Sequence, residues 1–336
     1  MNLGIRTKFK QILSSQRITK VGANLLPSTV AVLIYHDLSK DDDFPSWLRV
    51  KKSTFESHIG QLKKICNFVH PSDLFQKDEL SNNRLNVLLT FDDGFVNQYA
   101  LALPILQKFK VPALFFLSTE NIETGEIFWF DRVVIPIQAL RIENLDLRHL
   151  GLRNYHFCAS DGARRWSDIQ VLLEDIKSKG NGSPSKVKRI FEYFDNRFKD
   201  IIRRARQIHR PLTQDEVRNM KASNLCYFGS HSHRHEILTY LNDDEIRENL
   251  IKSREFLEKL LGEDIVHFAY PNGDTDFRVS KLCRECGYEY GYGTSSGLLR
   301  RNAIAMNIPR IGVGGYDSAQ SLFWKINKEL IRSVWK

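Results

Sequence analysis

Four short stretches concentrate the side chains that can do chemistry. Asp92-Asp93-Gly94 follows the apolar run Val87-Leu88-Leu89. Neighbouring side chains at a strand end point different ways, so one carboxylate can meet a cation while the other faces a reactant. Gly94 allows a sharp turn there, although Asp-Asp-Gly by itself also reads as an ordinary turn. The second stretch is His231-Ser232-His233-Arg234-His235, again after an apolar run. His231 and His235 are four apart and would share one face of a helical turn. That spacing suits two imidazoles on Zn²⁺, and two histidines plus a carboxylate leave coordination positions open for catalysis. His233 is out of phase and reads as structural. The third stretch, Tyr270-Pro271-Asn272-Gly273, is a turn whose functional reading is a backbone N–H facing a developing oxyanion. The fourth is Tyr35-His36-Asp37, where a histidine closes an apolar run; a packed histidine is the plainer account of it.

Something must carry these stretches to one place. Apolar runs at 30–36, 86–91, 113–118, 226–230, 266–270, 288–293 and 308–313 are rich in Val, Ile, Phe and Tyr and mostly continuous rather than alternating. Continuous apolar strands are those covered on both faces, as in parallel sheets flanked by helices. Helices are predicted between them. Ser53-Thr54-Phe55-Glu56 has the form of a capping box, Thr213 with Glu216 and Asn242 with Glu245 repeat it, and Gly262 suits a helix end. The alternation predicts an α/β barrel or a doubly wound sheet. Residues 130–211 break the rhythm, with charged helical material and no convincing core strand, and read as an insertion.

The composition fits a folded protein: 336 residues, 26% charged and 42% hydrophobic. No run reaches the ~18 apolar residues of a membrane span, and the basic start is not followed by the apolar block of a secretory signal. Five cysteines suggest a reducing compartment, with Cys283 and Cys286 read as packed thiols. The net charge is +9, concentrated in residues 1–20 and in a run that ends with Arg203, Arg204, Arg206 and Arg210. Such runs can meet phosphates or anionic lipid, but neither is rich in aromatics, so no specific nucleic-acid partner is expected. The amphipathic start, with Leu3, Phe9, Ile12 and Leu13, leaves open a weak membrane-surface contact or a transit peptide.

Taken in order, Thr90-Phe91-Asp92-Asp93-Gly94, His231-Ser232-His233-Arg234-His235 and Phe268-Ala269-Tyr270-Pro271-Asn272-Gly273 resemble the successive motifs of polysaccharide deacetylases, the NodB-homology group or carbohydrate esterase family 4. Pro112-Ala113-Leu114-Phe115-Phe116-Leu117, Gly287-Tyr288 and Pro309-Arg310-Ile311 extend the likeness. The resemblance implies a distorted (β/α)7 barrel, of which the helical insertion is the least familiar part. The expected organisation is a basic segment at 1–28, the barrel at 29–320 with the insertion at about 130–211, and a helical tail at 321–336. It also implies metal-dependent removal of N-acetyl groups from amino sugars. Asp93, His231 and His235 would hold a divalent cation, with Zn²⁺ expected. Asp92 would be the general base, and the Tyr270 N–H would help hold the oxyanion.

Two departures stand out. The arginine that often steadies the base is missing from the third motif, and Arg310 is the candidate to replace it or to touch substrate. No histidine follows His267, so the usual C-terminal general acid is absent. Tyr35-His36-Asp37 resembles the early acid segment of the poly-N-acetylglucosamine deacetylase branch, which makes His36 the candidate acid. Trp129, in a loop after the third strand, and Trp47, after His36, are candidate sugar-stacking residues, with core packing an equal alternative.

Other readings stay open. An O-acetyl esterase would use the same groups. A glycosidase built on Asp92 and Asp93 is disfavoured, because adjacent residues can hardly reach the ~5–9 Å separation it needs. A non-catalytic basic nucleic-acid or membrane-surface protein would leave the histidines incidental. The expected location is the cytoplasm, with possible membrane association, and the expected partner an acetylated amino-sugar glycan.

Overall fold

The computed structural model describes residues 14–41, 48–75, 80–181, 187–300 and 304–335. Trp47 and most of the basic amino terminus lie outside the described residues, so the readings placed on them are not addressed by the fold.

Eight strands form the main sheet: β1 (Val30–Tyr35), β2 (Cys66–Phe68), β3 (Leu85–Phe91), β4 (Ala113–Leu117), β5 (Cys226–Ser230), β6 (His267–Ala269), β7 (Tyr290–Tyr292) and β8 (Ile311–Gly312). Their order is β7-β6-β5-β4-β3-β1-β8, with β2 pairing beside β3, and every pairing is parallel. Ile308 bridges back to Tyr292, with Gly293 N–H donating to Ile308 O at 3.0 Å. The sheet thereby curls into a distorted (β/α)7 barrel, and all seven predicted strand segments are in it.

Two-sided burial explains the continuous apolar runs. Every residue of β1, β3 and β4 is buried. Leu33, Leu89 and Phe115 face outward into the helical shell, whereas Val32, Leu88 and Phe116 fill the barrel interior. At ~1.5–3 kcal/mol for each large apolar side chain, such layers fix the register that lines up the strand ends.

The helices follow local signals with one exception. Asn242 and Glu245 exchange capping bonds of 2.9 Å ahead of helix Asp243–Leu261, and Gly262 ends it at φ +67°. Thr213 and Glu216 also form a complete box. The box expected at Ser53 does not form. Helix Lys52–Ile65 starts earlier, and Ser53 instead gives both its N–H and its Oγ–H to Asp41. Cys283 is buried on helix Phe277–Glu285 and Cys286 lies just past its end, both as free thiols.

The insertion builds its own core from helices Trp129–Ala139, Gly162–Lys179, Lys188–Arg197 and Lys199–Ile208, through Val133, Ile137, Leu172, Ile190 and Phe194. It also contains a short antiparallel pair, Asn144–Asp146 with Asn154–His156, which its sequence pattern did not suggest. Three arginines of its basic run have acidic partners: Arg203 with Asp200 at 3.2 Å inside the insertion, and Arg206 with Glu126 at 3.0 Å and Arg210 with Glu216 at 2.7 Å at its borders.

The segment read as a C-terminal tail is helix Ala319–Val334, whose Leu322, Phe323, Ile326 and Leu330 join the main core. Helix Gln16–Leu25 packs on it, with Thr19 Oγ1–H donating to Asn327 Oδ1 at 2.7 Å. Among the described residues no helix is long and apolar enough to cross a membrane.

Candidate active site

The chemistry-bearing stretches meet at the carboxyl ends of the strands. At the end of β3, Asp92 N–H donates to Tyr35 O at 3.0 Å, which continues the ladder. The chain then turns through Asp93 at φ +75° and Gly94 at φ +87°. A non-glycine residue in the left-handed region carries strain, and such strain gathers at functional sites. A Cβ on Gly94 would lie 3.0 Å from Leu117 Cδ2, the movable end of a side chain, so torsion more than space calls for glycine. Both carboxylates are buried.

After β5 the chain forms a loop, not the helical turn that the four-residue spacing suggests: Ser232 and His235 sit at φ +65° and +50°. Asn249 braces it, accepting from Arg234 N–H at 3.0 Å and donating to Glu236 at 2.9 Å. His231 Nε2 lies 3.4 Å from Asp93 Oδ1, and His235 Nε2 lies 3.1 Å from the same oxygen. One potential ligand atom from each of the three lies within 4.8 Å of the others. His233 turns elsewhere, with Nδ1 2.9 Å from Thr119 Oγ1.

These residues fit a divalent cation. His231 Nδ1 is 2.8 Å from Ala269 O, so that nitrogen carries the proton and Nε2 keeps a lone pair for a metal. Burial opposes charge on His231, yet Asp92 and Asp93 outweigh it and hold the ring above its ordinary range. Burial likewise pushes Asp93 up, but its bonds to His231 and His235 bring it well below the usual carboxylate range. The pocket is built around positive charge.

Asp92 is gripped by Arg310. Nη1 and Nη2 donate to its two oxygens at 2.6 and 2.8 Å, and Nε donates to Gly293 O at 2.7 Å. Burial would raise the Asp92 carboxyl, but the charges of Arg310 and His231 hold it below its ordinary value. Arg310 is completely buried. The expectation that it touches substrate is therefore corrected: its guanidinium is spent on Asp92 and the backbone. Gln98, which the sequence reading missed, donates from Nε2 to His36 O at 2.8 Å and to Asp92 O at 2.6 Å, pinning two strand ends together.

A second correction concerns Tyr270. Its N–H donates to Tyr292 O at 3.0 Å and its hydroxyl to Met306 O at 2.9 Å. The parallel ladder runs one residue further than the motif suggests, so this N–H is not available to an oxyanion. Asn272 and Gly273, just beyond, line the cavity described next.

A cavity of about 1120 Å³ opens over these groups, lined by His36, Asp92, Asp93, His231 and His235. Its far wall comes from the insertion. Trp129 is part of that wall, not in a loop but at the first turn of helix Trp129–Ala139, packed 6.0 Å from the Phe191 ring. Lys177 ties the insertion to the rim through Asn272 Oδ1 at 2.9 Å. Burial pushes His36 below its ordinary value, while Asp93 and Asp92 pull it back up.

Comparison with known proteins gives the same outline. A family model described as polysaccharide deacetylase matches residues 81–291. Over 100 residues the chain is 30% identical to YxkH of Bacillus subtilis, a protein assigned as a polysaccharide deacetylase. That stretch covers 29% of this chain and 34% of YxkH, so the match spans about a third of the relative. Among solved structures, the deacetylase PplD of Streptococcus pyogenes in complex with acetate superposes with a TM-score of 0.58 at 18% identity, covering 89% of this chain and 98% of PplD. IcaB from Ammonifex degensii gives 0.57 at 17%, with 89% and 98% covered. A de-N-acetylase from Aggregatibacter actinomycetemcomitans gives 0.54 at 14%, with 88% and 98% covered. At these identities the structural likeness speaks to fold.

Proposed function

The chain belongs to the polysaccharide deacetylase family, and from that premise we propose that it removes N-acetyl groups from amino sugars of a polysaccharide or glycan precursor, with Zn²⁺ as the cation. The observation that carries the reading is the convergence of Asp93, His231 and His235, from segments far apart in sequence, beside an ionised Asp92.

An amide resists hydrolysis because its carbonyl is resonance-stabilised and its amine leaves badly. A divalent cation on Asp93, His231 and His235 would supply Lewis-acid polarisation of that carbonyl and acidify water. Asp92 would take the proton from the attacking water. Its charge is maintained by Arg310, whose two-point grip also fixes the direction of the carboxylate. His36, on the same cavity wall, would donate a proton to the departing nitrogen. Burial alone favours the neutral ring, and the nearby Asp93 and Asp92 carboxylates favour the proton that the ring would have to carry. Trp129 would offer its ring to a pyranose face.

The test is acetate release from matched N-acetylated and O-acetylated glycans, with and without a chelator. The reading requires release from the N-acetylated glycan that chelation abolishes and added Zn²⁺ restores. Release confined to the O-acetylated glycan would make the protein an esterase. Release indifferent to chelation would remove the metal.

A further inference from the structure

Two polar groups in the cavity have no part in the mechanism above. Asp131 is 5% exposed, lines the cavity, and leaves its Oδ2 without a hydrogen-bond partner. Its Oδ1 has a single long contact, 3.4 Å to Arg49 Nη2. His209 also lines the cavity, and its buried Nδ1 has no partner. The two groups stand near the start and the end of the insertion, and both feel the charge of Arg49. Arg49 in turn holds Asp37, the residue after His36, through Nε at 3.1 Å.

A buried carboxylate oxygen or ring nitrogen without a partner is costly, and more so when charged. The residues that carry these atoms line the cavity in which substrate would lie, and Trp129, two residues before Asp131, contributes an indole to the same wall. An aromatic face beside a carboxylate and a neutral imidazole matches a pyranose, which offers an apolar ring face and hydroxyl groups that donate and accept. Burial and the Arg49 charge push the imidazole down to about 3, so it is neutral near pH 7.

We propose that Asp131 and His209 form a hydroxyl-binding subsite that orients the sugar ring beside the metal centre. The inference rests on the deacetylase reading in taking a sugar as the ligand, but it assigns these residues to binding and not to bond cleavage.

The experiment titrates tetra-N-acetylchitotetraose into the metal-loaded wild type, Asp131→Asn and His209→Phe by calorimetry, and follows acetate release from the same oligosaccharide. Loss of one such hydrogen bond corresponds to about tenfold in affinity. Each variant should weaken binding and raise KM by about that factor, with kcat less affected and metal content unchanged. Unchanged affinity and KM in both variants, whatever the melting temperature does, would reduce the pair to a pin between insertion and barrel and overturn the proposal. A wild type that binds the tetramer but releases no acetate would overturn the deacetylase reading, while the variants' affinities would still decide the subsite. A wild type that does not bind it would overturn both.

Discussion

Two buried carboxylates face one another's territory across this cavity, one from the barrel and one from the insertion. Asp92 receives both guanidinium arms of Arg310 at 2.6 and 2.8 Å and is held low. Asp131 has one contact at 3.4 Å and an oxygen with no partner, and burial, with Asp37 and Asp93 nearby, pushes it up to about 7 despite Arg49. Burial is similar, so the surroundings set the difference. The barrel fixes a charge in place before substrate arrives, as a general base requires. The insertion keeps an acceptor in reserve, as a binding wall requires.

Of the two carboxylates, Asp92 should be the more sensitive to substitution. Asp92→Asn preserves shape and should cost about 10²–10⁴-fold in turnover with the metal retained; near-normal acetate release would remove Asp92 as the base. Next in size is its clamp. Arg310→Leu strands a buried carboxylate and should lower unfolding stability by about 3–5 kcal/mol in a denaturant titration. Adding Asp92→Asn to that variant should recover part of the loss, and no recovery would mean that Arg310 acts mainly through Gly293 and Phe116. His36→Ala should slow acetate release by about 10²-fold with metal intact, and unchanged kinetics would take it out of the mechanism.

The smallest effect lies at Asp131. Its folded value stands above the ~3.9 of an unfolded aspartate, so the folded protein holds the extra proton and stability declines as pH rises from about 4 to about 7. Asp131→Asn should therefore gain in melting temperature relative to the wild type across that window. A difference that does not vary with pH would show that the carboxyl does not carry this load.

The strands were legible because two-sided burial leaves a continuous apolar record, and β1, β3 and β4 are buried throughout. Asp92, Asp93 and the histidine cluster were legible because they stand next to such runs. What the sequence hid depends on distance or on torsion. Arg310 and Asp92 are 218 positions apart, so no local pattern could show which of two roles Arg310 takes. The spacing of His231 and His235 implies a helical turn only if the torsions are helical, and Ser232 and His235 are left-handed. Tyr270 kept its N–H in the ladder because a strand's last hydrogen bond is not encoded by its motif. Asp131 is an acid in the first turn of helix Trp129–Ala139, a place the helix dipole favours, and no sequence pattern marks it as buried.

Asp93, His231 and His235 should share one divalent cation, which metal analysis of the purified protein measures. Purified wild type should hold about one equivalent of metal, and Asp93→Ala and His235→Ala should each hold almost none while remaining folded by circular dichroism. Full occupancy in either folded variant would contradict the ligand set and the hydrolysis built on it.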